Sequence, residues 1–152
     1  MTARARGLVV ATACLLGFPP TAGAAQRSCT HLEVAKGRAP YDIFVIFFDI
    51  NSAAIRADAA RILDNAAVTY RPLPHCRLIV AAHTDRLGSQ GHNLNLSRKR
   101  ANAVLSHLRR RGIRSVARVE SFGEARPLVR TKDEVAEPQN RRAEIIIAPP
   151  DQ

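Results

Sequence analysis

The chain has 152 residues, enough for one domain and some additional sequence. Hydrophobic residues make up 46%, which suits a globular core. A formal charge of +10 argues against basic partners and selects polyanions or acidic surfaces: nucleic acid, anionic lipid or an anionic cell-wall polymer.

Residues 1–24 read as a secretory signal peptide. Arg4 and Arg6 give a positive start, and Gly7 to Phe18 is uncharged and mostly apolar. Pro19 and Pro20 break that run, and Ala22-Gly23-Ala24 is a small-x-small cleavage site. Twelve residues are too few to span a bilayer, and no other transmembrane segment is expected. Cys14 lacks the preceding leucine of lipoprotein processing, so no lipid anchor is expected. Cleavage after Ala24 leaves 21 Lys and Arg against 13 Asp and Glu, a net +8. It also leaves Cys29 and Cys76, a candidate disulfide in an exported chain.

Residues 25–40 read as a lead-in with little regular structure, and the domain as 41–150. Ile43 to Phe48 is a continuous apolar run, expected to be a strand buried on both faces. Asn51 or Ser52 is a natural N-cap for the helix that follows. Ile55, Ala59, Ile62, Leu63, Ala66 and Ala67 recur at helical spacing, with Arg56, Asp58, Arg61 and Asp64 opposite. Arg71-Pro72-Leu73-Pro74 ends that helix. Leu78 to Ala82 is a second strand, with His83 as a strand-end residue.

A polar loop leads to a long basic helix with Leu94, Ala101, Val104, Leu105 and Leu108 as its buried stripe. Gly112 stops it, and Arg109 to Arg111 complement the helix dipole. Val116 to Phe122 is a third strand and Ala143 to Ala148 the last, joined by the turn at Gly123 to Pro127 and a polar loop. The order implies an α/β fold: a two-layer βαβαββ sandwich with a mixed sheet and helices on one face. The last two strands are open to an antiparallel arrangement.

Between His83 and Ala101 the chemistry concentrates. With a helix capped at Asn93, Arg100 lies seven residues in, about 10 Å along the axis, within reach of Asp85 on the loop. An Asp–Arg pair across a short gap has two readings. One is an internal salt bridge tying loop to helix. The other is a site for a small zwitterion, with an ammonium on Asp85 and a carboxylate on Arg100.

These residues carry a resemblance. His83-Thr84-Asp85, Gly88-Ser89, Asn93, Leu96-Ser97, Arg100-Ala101 and Val104 are similar to the central signature of the OmpA C-terminal-like domain, shared by Pal and MotB domains. Phe47-Phe48-Asp49, Gly112-Ile113, Ser121-Phe122-Gly123-Glu124, Pro127 and Asn140-Arg141-Arg142-Ala143-Glu144 match its other motifs in order, over residues 41–148. Ala82 and His92 depart from the Gly and Tyr often found there. The resemblance implies non-covalent binding of peptidoglycan through the diaminopimelate of its stem peptide, in the periplasm. Asp85 then resembles the acid that holds the ligand ammonium and Arg100 the arginine that holds its carboxylate. Asp49, Asn93, Leu96 and Arg141 resemble the rest of the pocket wall. With no membrane segment of its own in view, an outer-membrane protein partner is expected to supply any tether.

Catalysis, metal and cofactor chemistry are not expected. The five histidines have no metal-ligand spacing, and neither a nucleophile elbow nor a phosphate loop is present. Nucleic acid is not expected, since the aromatics cluster in the apolar first strand and the leader directs export. The alternative is a basic envelope protein that binds anionic lipid or a protein partner.

Overall fold

A computed structural model gives the fold and describes residues 42–149, except 74, 115 and 117. The expected leader and lead-in, and with them Cys29, lie outside the described residues, and so does the expected Cys29–Cys76 pairing. Strands β1 (Asp42–Phe47), β2 (Arg77–His83), β3 (Arg118–Gly123) and β4 (Arg142–Ala148) form a sheet ordered β1-β4-β2-β3. Helices α1 (Ala57–Tyr70) and α2 (Gln90–Arg110) supply the second layer. β4 enters last and runs antiparallel to both β1 and β2, while β2 and β3 are parallel. The expected α/β sandwich is therefore present, but β3 and β4 do not pair. α1 carries the chain past a slot that β4 fills.

One side of the sheet makes the core. Ile46 and Phe48, Leu78, Val80 and Ala82, and Ala143, Ile145 and Ile147 pack on Leu63, Ala66 and Ala67 of α1 and on Ala101, Val104 and Leu108 of α2. Strand alternation sends Ile43 and Phe47 the other way, and each is about half exposed, at 49% and 48%. The first strand is thus an edge strand buried on one face, not on both. A fully apolar strand does not by itself require two covered faces, and both helices lie on the same side.

Two helix starts differ from the expected ones. α1 begins after Arg56, and Ser52 does not cap it. Ser52 Oγ instead accepts from Ala54 N at 3.1 Å, and Asn51 is left-handed with φ 48°. The two cap-type residues shape an extended loop, because their segment wraps a buried arginine described below. α2 begins after Ser89, whose Oγ accepts from His92 N at 3.3 Å. Asn93 therefore lies inside the helix and is buried. Leu94, expected in the buried stripe, is 40% exposed, and the first turns bury Asn93, Leu96, Ser97 and Arg100 instead.

α1 and α2 are clasped by Asp64. It accepts from His107 at 2.7 Å and takes both arms of Arg111 at 2.6 Å. The hydrogen bond from His107, with Arg111 adding, holds the Asp64 carboxyl below its ordinary range against the effect of burial. Arg111 thus does more than complement the helix dipole.

α2 is pressed onto the end of β3 at Gly123, which has φ 54°. A Cβ there would meet Leu94 N at 3.1 Å and Leu94 Cα and Asn93 C at 3.3 Å. All three are helix backbone and cannot swing aside. Gly123→Ala should destabilise the fold by about 2–4 kcal/mol, from left-handed strain and overpacking together. The urea midpoint should fall with an unchanged m-value. A midpoint equal to wild type would mean that the helix approach is softer than the contacts indicate.

A bulge lies where β2 meets β3: Ala82 pairs with Ser121, but His83 pairs with Gly123, leaving Phe122 as the extra residue. The His83 ring stacks on Phe122 with centroids 5.2 Å apart, on the sheet face away from the helices. Burial pushes the imidazole down to about 4, with Arg142 adding; Glu144 and the backbone at Arg126 act in the opposite sense. Its 3.8 Å approach to Glu144 is therefore not an ion pair at neutral pH. The unfolded chain takes up this proton near pH 6.5 and the folded chain only near 4. Unfolding free energy should accordingly fall by about 3 kcal/mol as the pH drops between those values, because only the unfolded state is gaining a proton. His83→Gln should flatten that part of a stability-against-pH profile. An unchanged slope would show that His83 titrates normally.

Candidate functional site

The loop between β2 and α2 meets the loop after β1 and the 3-10 turn Pro138–Asn140 ahead of β4. Asn140 is fully buried and holds the third of these. Its Oδ1 accepts from Leu128 N and Val129 N, both at 2.8 Å, and its Nδ2 donates to Val129 O at 2.7 Å. Arg86 ties the β2–α2 loop to the same segment through Thr131 O at 3.1 Å and an ion pair with Asp133.

Between these loops lies a cavity of about 360 Å³ lined by Ile50, Asn51, Asp85, Gly88, His92 and Asn93, among others. Asp85 is 4% exposed, an ionisable carboxylate at the base of a depression. Its Oδ2 accepts from Arg141 Nη1 at 3.1 Å and from Glu137 N at 3.3 Å. Arg141 also donates to Phe48 O at 3.2 Å.

Arg100 is the largest fully buried side chain among the described residues. It does not reach out over the loop as a flexible arm. Nε donates to Ser52 O at 2.9 Å, Nη1 to His83 O at 2.8 Å and Nη2 to Asp49 O at 3.1 Å. The guanidinium also lies 4.9 Å from the centre of the Phe48 ring. Burial pushes it down to about 10, Asp85 opposes and Arg141 adds, so it stays charged at neutral pH. The salt-bridge reading of the Asp85–Arg100 pair does not hold, since the ion-pair partner of Asp85 is Arg141. Three of five guanidinium N–H groups are used by carbonyls, leaving one on each terminal nitrogen.

Of the six residues expected at the site, Asp85, Asn93 and Leu96 line the cavity. Asn93 is fixed there by Glu124 Oε2 at 2.6 Å and Gly88 O at 3.4 Å. Arg100 and Arg141 are not part of its lining; Arg141 is bonded to Asp85 and Arg100 lies close enough to feel its charge. Asp49 contributes its carbonyl, while its exposed carboxylate turns to Arg56 at 3.2 Å. Sequence reasoning missed Asn51 and His92, which both line the cavity and are hydrogen-bonded to each other at 2.9 Å. The signal for His92 was its place beside Asn93, where tyrosine was expected. Nothing local singled out Asn51, since its role depends on a helix 41 residues away. Among the described residues no cluster of His, Cys, Asp and Glu is placed to hold a metal ion, and no helix is long and apolar enough to cross a membrane.

The chain is similar to known envelope proteins. The peptidoglycan-associated lipoprotein of Brucella melitensis is 34% identical over 103 residues, 67% of this chain and 61% of that protein. The chain thus spans about three fifths of the length of that relative. The crystal structure of the peptidoglycan-associated lipoprotein from Burkholderia pseudomallei superimposes with a TM-score of 0.61 at 28% identity, covering 68% of this chain and 88% of that one. The periplasmic domain of Helicobacter pylori MotB shares the fold, with a TM-score of 0.56 at 21% identity over 70% of this chain and 75% of that one. The profile of the OmpA family matches residues 47–141, and the chain belongs to that family.

Proposed function

We propose that the protein binds peptidoglycan non-covalently in the periplasm, through the diaminopimelate residue of the stem peptide. The observation that carries this reading is the buried Asp85 carboxylate at the base of an open cavity, with two guanidiniums near it. An ammonium entering the cavity meets Asp85. A carboxylate on the same carbon is drawn toward Arg100, which has one unused N–H on each terminal nitrogen. Arg100 is covered, so this contact needs the Ile50–Asn51 turn to move aside. That turn is exposed, and Ile50 is 53% accessible. Asn93, Leu96 and His92 shape the wall, Arg141 holds Asp85 in place, and Asp49 supplies a carbonyl that fixes Arg100. The names of the Brucella and Burkholderia relatives support the same reading. A leader removed after Ala24 fits export, and an outer-membrane protein partner would supply the membrane end of a tether. The reading involves no catalysis and no cofactor.

Ligand chemistry gives the test. Lysine in place of diaminopimelate keeps the ammonium but lacks the carboxylate, leaving a desolvated guanidinium without its partner. An amidated diaminopimelate cannot accept a charged fork. Calorimetry should show a clear preference for diaminopimelate-type stem peptides over lysine-type and amidated ones, surviving moderate salt. General attraction between a +8 protein and an anionic polymer fades over a Debye length of about 8 Å and does not separate these peptides. Equal affinity for all three would remove the pocket reading and favour the alternative of a basic protein held by anionic lipid or a protein partner. Pull-down with insoluble peptidoglycan against DNA-cellulose separates the wall from nucleic acid.

A further inference from the structure

The sheet face opposite the helices holds a second cavity, of about 290 Å³, lined by His83, Glu120, Phe122, Arg126, Arg142 and Glu144, among others. Two of these side chains are more than nine-tenths buried yet under-used. Arg142 is 6% exposed; its Nε donates to Glu144 at 2.7 Å, but its Nη1 has no hydrogen-bond partner. His83 is 3% exposed, and neither ring nitrogen makes a hydrogen bond of normal geometry. Buried polar atoms are nearly always satisfied, and leaving them bare is costly. Both side chains line the cavity, with these atoms just beneath its surface and the Arg126 backbone beside the ring.

Charge decides what they suit. Glu144 is paired with Arg142, and Glu120 with Arg118 at 2.8 Å. Arg126 lies 3.8 Å from the centre of the Phe122 ring and makes no ion pair among the described residues. Among the charges that line the cavity, Arg126 is thus the one left without an ion-pair partner among the described residues, beside two N–H donors. The two glutamates that also line it disfavour a dianion, whereas a planar monoanion with two oxygens matches the donors.

We infer that this open sheet face carries a second ligand site, built on His83, Arg142 and Arg126, for a small carboxylate. With a small turn of both side chains into the cavity, one oxygen accepts from Arg142 Nη1–H and the other from the neutral His83 ring, while Arg126 closes over the charge. The site is separate from the Asp85 cavity, since these side chains project from the opposite side of β2 and β4. It requires nothing of the proposed wall binding.

NMR of the ring nitrogens of His83, titrated with sodium acetate, inorganic phosphate, N-acetyl-Ala-Ala and its carboxamide, tests the inference. Acetate and the free-acid dipeptide should shift the His83 signals saturably, and the carboxamide should not. Arg142→Gln should abolish the response. Arg126→Gln, at an exposed position that leaves the fold intact, should weaken it about tenfold, the scale of one charge-assisted contact. Tighter binding of the dipeptide than of acetate assigns the site to a chain end; equal binding assigns it to a free acid. Signals that stay fixed mean that internal solvent alone satisfies these atoms, and they overturn the inference. So do shifts that persist at full strength in Arg126→Gln, or phosphate that binds more tightly than either carboxylate.

Discussion

Asp85→Asn should leave a folded protein that no longer sediments with insoluble peptidoglycan. The substitution is isosteric and keeps an oxygen for the Glu137 amide, 3.3 Å away. It removes the charge that an entering ammonium needs, in a cavity where the group is nearly shielded from solvent. Losing one charged partner of a desolvated contact costs about 2–4 kcal/mol, roughly thirtyfold or more in affinity. It also leaves Arg141 and Arg100 without the carboxylate that balances them. Circular dichroism separates lost binding from lost fold. A folded Asp85→Asn protein with wild-type wall affinity would move the binding surface elsewhere.

Arg100→Ala should fail earlier, at folding. The sequence suggests an arginine that can be truncated with only binding at stake. The structure makes it the hub that joins α2 to the loop after β1 and to the end of β2, donating to Asp49, Ser52 and His83 carbonyls. Removing it strands all three acceptors and opens a void under Phe48, and we expect a destabilisation of about 3–5 kcal/mol. Arg100→Lys separates the two roles. It keeps the charge but cannot serve three diverging acceptors at once. We expect a smaller fall in the urea midpoint and a loss of preference for diaminopimelate over amidated peptide. A fully stable Arg100→Ala protein would show that the three carbonyls find other donors.

These two residues show where the sequence was readable. The α/β order, the four strands and both helices follow from apolar periodicity, as at Leu63, Ala66 and Ala67 or Val104 and Leu108. Asp85, Asn93 and Leu96 were placed at one site by motif resemblance and do line one cavity. The errors cluster where the chain serves the site rather than the core. Ser52 is a good helix cap by composition, yet its segment is drawn into a loop because its carbonyl serves Arg100, 48 residues later. Helical spacing places Leu94 in the buried stripe and gives no sign that Arg100 is buried, yet Leu94 is 40% exposed and Arg100 fully covered. Burial is decided here by hydrogen-bond satisfaction, and a buried guanidinium with three carbonyls leaves no mark on hydrophobic periodicity. His83 and Arg142 were likewise legible as motif residues but not as neighbours, because the bulge that brings Phe122 beside His83 is a property of strand pairing.

The position of β1 at the sheet edge has a mechanical consequence. Among the described residues it pairs with β4 alone, over six positions from Asp42–Ile147 to Phe47–Arg142. The proposed wall site lies just past its far end, at Asp49 and beyond. Tension entering the chain ahead of Asp42 and resisted by a bound wall fragment would run along the strand axis. It would load the inter-strand hydrogen bonds together, in shear, over a length of about 20 Å. Peeling from the other end would break them one pair at a time. The same edge strand that looks exposed at equilibrium is therefore oriented to resist the direction of pull that a wall anchor meets.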